Sequence, residues 1–153
     1  MPGHSDLEDD LRDQWQSFSH RDEWRRMLSC LVAFSARTGA RVTALSGEIH
    51  LGALGLVEGA DGVRIHQLTS LGIVHHPPPA AVVAAYGWLG RNRTVLAPDL
   101  EARLLAIPGH GRRYLRRRNW LALETAGDGG FTAAWRTEQG EAGRLVVPTE
   151  PPP

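Results

Sequence analysis

Residues 49–68 read IHLGALGLVEGADGVRIHQL, two short apolar stretches on either side of Gly59-Ala60-Asp61-Gly62. An Asp-Gly pair between apolar runs is a strong hairpin signal, because a tight primed turn needs positive φ at its centre. The pattern predicts strands over Ile49–Val57 and Val63–Leu68. Gly52 and Gly55 interrupt the first of them and imply a bulge or a bend. Outward from the hairpin, Arg41–Leu45 and Gly72–His76 are further strand-like pieces. A small antiparallel β-rich middle is expected.

Towards the N-terminus the period lengthens. Arg21–Arg37 carries Trp24, Met27, Leu28, Leu31, Val32 and Phe34 at helical spacing, and Thr38-Gly39 ends it. Before it, Ser5 and Glu8 form a capping-box pair ahead of a helix from about Asp6 to Ser17. Leu7, Leu11, Trp15 and Phe18 make one narrow stripe on that helix, which suits either a staple onto the domain or contact with a protein partner. Towards the C-terminus, Pro77-Pro78-Pro79 leads into a short helix over Ala80–Leu89. Pro98 and Asp99 are read as opening another helix, with Leu100, Leu104 and Ile107 on one face and Pro108-Gly109 as its stop. Arg112–Arg118 is read as a further helical turn or two. Trp120–Glu124 and Phe131–Thr137 alternate around Gly127-Asp128-Gly129-Gly130, and Leu145–Val147 is a candidate third strand.

The resulting expectation is an α+β fold: two N-terminal helices, a small antiparallel β-rich middle, two or three short helices and a C-terminal β-hairpin or meander. It divides into an acidic amphipathic arm over residues 1–20, a single domain over 21–147 and a Pro-rich tail over 148–153.

Composition bounds the class. A chain of 153 residues with 42% hydrophobic and 22% charged residues has the profile of one globular domain. No apolar run reaches the length of a membrane span, and the acidic start does not resemble a signal peptide, so a cytoplasmic protein without membrane contact is expected. Cys30 is the single cysteine and, lying in the apolar run 27–34, is read as a small buried core residue. The seventeen basic residues are all arginine. With abundant Ala, Gly and Pro, this points to a high-GC bacterial genome and lowers the weight of arginine as a functional signal.

Zero net charge conceals an asymmetry along the chain. Residues 1–24 hold seven carboxylates against two arginines, a net of −5, while residues 91–118 hold eight arginines against two carboxylates, a net of +6. The basic segment peaks at GHGRRYLRRRNW, residues 109–120. On a helix, Arg112, Arg113, Arg116 and Arg117 would share one face and Arg118 would point elsewhere. Guanidinium forks match phosphate oxygens, and Tyr114 and Trp120 offer stacking surfaces, so these six residues are the candidate polyanion site. The competing reading is a solvated face, or one paired with the acidic arm.

Two weaker groups remain. Glu48, His50 and His66 lie on neighbouring strand-like pieces and are candidate metal ligands or an acid/base pair, although no HExxH signature accompanies them. His110, between two glycines and next to arginines, is a candidate general base beside a phosphate. Phosphate-loop, GxGxxG, GxSxG and CxxC patterns do not occur, and no cofactor is expected. The leading functional expectation is a non-enzymatic binding or regulatory module whose arginine surface contacts a polyanion, nucleic acid first among them. Its rivals are an adaptor or homo-oligomer joining acidic arm to basic segment, and a small enzyme with a histidine site.

Overall fold

The computed structural model describes residues 20–47, 50–71, 76–89, 93–127 and 129–148. Among them are two α-helices, α1 (Arg21–Thr38) and α2 (Ala80–Leu89), and nine strands: β1 (Thr43–Gly47), β2 (Gly52–Glu58), β3 (Arg64–Ser70), β4 (Arg93–Ala97), β5 (Leu100–Leu105), β6 (Tyr114–Leu115), β7 (Asn119–Thr125), β8 (Phe131–Thr137) and β9 (Gly140–Val147). Sheet A runs β1-β3-β2-β5-β4, with β6 paired to β2, and sheet B is the meander β7-β8-β9.

Period-two alternation makes sheet A the middle of three layers. On β2, Leu54 lies opposite Leu68 and Leu105, and Val57 lies opposite Ile65 and Ala102. Residues three apart on a strand face opposite ways. Leu54 and Leu68 accordingly pack with Ile107, Leu115, Ala133 and Trp135 against sheet B, while Val57 and Ile65 pack with Trp24, Leu28 and Val32 of α1. Trp135 is fully buried, and its indole N–H donates to the Thr69 carbonyl at 2.9 Å, tying sheet B to sheet A.

The β2–β3 connection is a turn over 60–62 in which Asp61 and Gly62 have φ of 56° and 73°. Positive φ at both positions is what an Asp-Gly turn supplies cheaply. Helix α1 buries Trp24, Leu28 and Val32, spaced four apart, and ends where Gly39 N–H donates to Ser35 O at 2.9 Å.

This β-dominated, layered arrangement overturns the expected several-helix α+β plan. Pro98 and Asp99 form the turn of the β4–β5 hairpin, and Leu100–Leu105 is a strand. Leu100 and Leu104 are four apart, a spacing that puts two residues on one face of a strand as well as of a helix, so the apolar pattern did not discriminate. Cross-strand pairing with β2 and β4 decided it. Arg112–Arg118 is likewise not helical: residues 112 and 113 lie in a bend, and Tyr114–Leu115 adds to the edge of β2 that β5 has just left. The middle sheet is not wholly antiparallel, since β1 runs parallel to β3. Cys30 is exposed on α1 rather than buried. The expected first helix, with Leu7, Leu11, Trp15 and Phe18, and the tail beyond residue 148 lie outside the described residues.

Candidate functional site

Strands β5 and β6 pair with the same edge of β2, at Leu54–Glu58 and at Gly52–Ala53. The chain between them, 106–113, therefore leaves the sheet and returns to it. Ile107 N–H donates to Arg112 O at 2.9 Å and closes this excursion, and the N–H groups of His110 and Gly111 both donate to Ile107 O. Gly109 and Gly111 sit at φ of 82° and 73° on either side of His110. The loop is held against sheet B by Arg144 N–H donating to Pro108 O at 3.0 Å. Its far end is fixed by Asn119, whose amide is fully buried. Asn119 Nδ2 donates to Arg117 O at 2.7 Å, and Asn119 Oδ1 accepts from Leu71 N–H at 3.3 Å.

The excursion frames an open cleft of about 950 Å³. Arg112, Arg113, Arg116 and Arg117 line it, and so do Arg93 and Arg103 from the β4–β5 hairpin. Among the described residues, no carboxylate lines it. Val83 of α2 and Leu104 and Leu105 of β5 supply an apolar wall.

The six guanidinium groups differ in their occupation. Arg93 and Arg103 are cross-strand neighbours, a repulsive placement offset by carboxylates. Arg93 bonds to Glu101 Oε2 at 2.5 Å, and Arg103 to Glu58 Oε2 at 2.8 Å. The hydrogen bond from Arg93 holds the Glu101 carboxyl below its ordinary pKa. Arg116 Nε donates to Pro78 O, tying the segment ahead of α2 to the cleft, and Arg117 donates to Gln139 Oε1. Arg112 and Arg113 are exposed and have no side-chain partner among the described residues.

Of the six residues read from the sequence as one site, five share this cleft: Arg112, Arg113, Tyr114, Arg116 and Arg117. Trp120 does not. Leu121 pairs with Trp135, which faces the core, so Trp120 projects from the opposite face of sheet B, 44% exposed. Arg118 contacts Glu138 at 3.5 Å and His76, away from the cleft lining. His110 lines the cleft, half-buried. His50, with φ of 55°, and His66 on β3 do not line it, and Glu48 lies outside the described residues. No three His, Cys, Asp or Glu side chains converge as metal ligands among the described residues. Burial, then the charges of Arg64 and Arg41, lowers the His66 pKa.

Sequence reading missed Arg93 and Arg103. The helix assigned to 98–107 removed the cross-strand relation that brings them together; a hairpin around Pro98-Asp99 would have supplied it.

The family model described as PhoD related phosphatase matches residues 1–113 of the 153. The chain belongs to the PhoD-related phosphatase family. Its match takes in the β4–β5 hairpin and the loop as far as Arg113, and stops short of Tyr114–Arg117. The family member is also similar to the uncharacterized protein YGR266W of Saccharomyces cerevisiae, with 38% identity over 154 aligned positions that take in 77% of this chain and 22% of the yeast protein. The chain thus spans about a fifth of the length of that curated relative. No solved structure matches this PhoD-related chain. None of its helices is long and apolar enough to cross a membrane, among the described residues.

Proposed function

We propose that this chain is a phosphate-recognition region serving a PhoD-related phosphatase, in which the arginine cleft binds the phosphoryl groups of an anionic ligand. The observation that carries this reading is the cleft itself: six guanidinium groups around one cavity, with no carboxylate in its lining among the described residues. Planar guanidinium forks bind phosphate oxygens in pairs, and like charges gathered on a concave surface raise the local concentration of anions. Arg112 and Arg113, which hold no partner, make the first contacts. Arg93, Arg103, Arg116 and Arg117 add field from fixed positions. In this reading the described residues bind and orient, and the phosphatase activity named by the family is proposed for the protein as a whole.

Nucleic acid is one ligand with this phosphate chemistry. Its stacking component has less support, because Tyr114 lines the cleft and Trp120 does not.

Titration of the full chain with fluorescently labelled polyphosphate, at about 20 and about 200 mM salt, tests the proposal. Binding at low salt, weakened by orders of magnitude at the higher salt, is expected of several phosphate contacts. Arg112→Ala with Arg113→Ala is expected to weaken it at least about tenfold, the loss of two charge-assisted hydrogen-bonding groups. Absence of binding at low salt, or an unchanged affinity in the double variant, overturns the reading.

A further inference from the structure

The apolar part of the cleft lining narrows the ligand class, and the inference rests on the phosphate-binding reading above. Val83, Leu104 and Leu105 are half-buried and line the same cleft as Arg112 and Arg113. Leu104 faces the α1 side of sheet A opposite Gly55, and Leu105 faces sheet B opposite Leu54. Their shared presence in the lining places the cleft across the free edge of β5, beyond the last residue paired with β4. Ala80 and Ala106 extend this surface with small side chains. An inorganic phosphate or a nucleic-acid backbone, hydrophilic throughout, would leave that wall in contact with water. A ligand that is anionic at one end and apolar at the other would cover both parts.

We infer that the cleft takes a phosphoester with an aliphatic substituent, its phosphate on Arg112 and Arg113 and its apolar chain on Val83, Leu104 and Leu105. The guanidinium pair fixes the charged end, and the apolar wall discriminates among phosphates by what they are esterified to. Tyr114, with an apolar ring and a polar tip, lies in the same lining. The chemistry is shared by a soluble alkyl phosphate and by the headgroup region of an anionic lipid.

Calorimetric titration of the full chain with inorganic phosphate and with methyl, ethyl, propyl and butyl phosphate separates charge from apolar contact. Affinity is expected to rise about two- to fourfold for each added methylene until the wall is covered. Val83→Ser should flatten this series, its effect growing with the length of the alkyl chain, and Arg112→Ala with Arg113→Ala should weaken every member equally. Co-sedimentation with phosphatidylcholine vesicles containing a tenth phosphatidic acid distinguishes the two sources. Capture on the vesicles assigns the phosphate to a lipid, and graded binding of free esters without capture assigns it to a soluble ester. If inorganic phosphate binds and the alkyl series is flat, or an oligonucleotide outcompetes butyl phosphate, the apolar specificity is wrong and the phosphate-binding reading stands. If neither phosphate nor its esters bind, both fall.

Discussion

Arg112 and Arg113 carry charge that the fold does not use, and this makes them separable from stability. A side chain with no partner and full solvent contact contributes within about 0.5 kcal/mol when truncated. Arg112→Ala with Arg113→Ala is therefore expected to leave the thermal midpoint within a degree or two while weakening phosphate binding at least about tenfold, measured on one sample by calorimetry and titration. Asn119 is the opposite case. Its buried amide satisfies Leu71 N–H and Arg117 O, and Asn119→Ala strands both groups at a cost of about 1–3 kcal/mol for each left unsatisfied. That loss should appear as a lower urea midpoint. His66 gives the fold a pH signature. Burial lowers its folded pKa below the ordinary 6.5, so between the two values the unfolded chain holds the extra proton. Stability must then decline as pH falls below about 6.5 and level off beneath the folded pKa. A His66→Gln variant should lose that part of the slope; an identical slope in the variant would assign it to other groups.

At the scale of elements, the loop 106–113 depends on a glycine in a different sheet. A Cβ at Gly143 of β9 would fall 2.5 Å from Ile107 Cγ2 and 2.7 Å from the Pro108 carbonyl oxygen. A backbone carbonyl cannot swing aside as a long side chain can. Gly143→Ala is expected to lower stability by about 1–3 kcal/mol through overpacking and, by pushing the loop, to weaken phosphate binding although no arginine is altered. Calorimetry and titration of the variant read the two effects. Such dependence is invisible along the chain, because Gly143 is over thirty positions from Ile107 and nothing local marks it. Helix α1 was legible, since Trp24, Met27, Leu28, Leu31 and Val32 recur three and four apart, mixing odd and even positions that a strand would send to opposite faces. The Asp61-Gly62 turn was legible too, because its φ requirement is local. Segments 100–107 and 112–118 were not: their apolar and arginine spacings fit helix and strand equally, and pairing with β2 settled them from a distance. The same ambiguity concealed Arg93 and Arg103, so the arginine cluster was read as a helical face when it is the rim of a cleft.

For the whole molecule, the layering implies that the two hydrophobic clusters are one cooperative unit. Sheet A supplies Val57 and Ile65 to the cluster under α1, and Leu54 and Leu68 to the cluster under sheet B. Strands β2 and β3 each pack both clusters, and their backbone hydrogen bonds serve both. Losing either cover exposes one face of a sheet whose other face then carries the entire burden of burial. Leu28→Ala, on the helix side, is expected to cost about 2–5 kcal/mol for a buried leucine. Trp135→Phe, on the sheet side, leaves the buried Thr69 carbonyl without its indole donor and costs about 1–3 kcal/mol before any packing loss. Both variants should unfold in a single transition, with tryptophan fluorescence and far-ultraviolet circular dichroism coincident and both midpoints lowered. Two separated transitions in Leu28→Ala, an early one reporting helix and a late one at the parent midpoint, would make α1 an independent layer. Cooperative loss, by contrast, would mean that the cleft is held rigid from both sides at once, because its arginine loop is tied to sheet B through Pro108 and Asn119 while Leu104 and Leu105 of its apolar wall belong to β5 of sheet A.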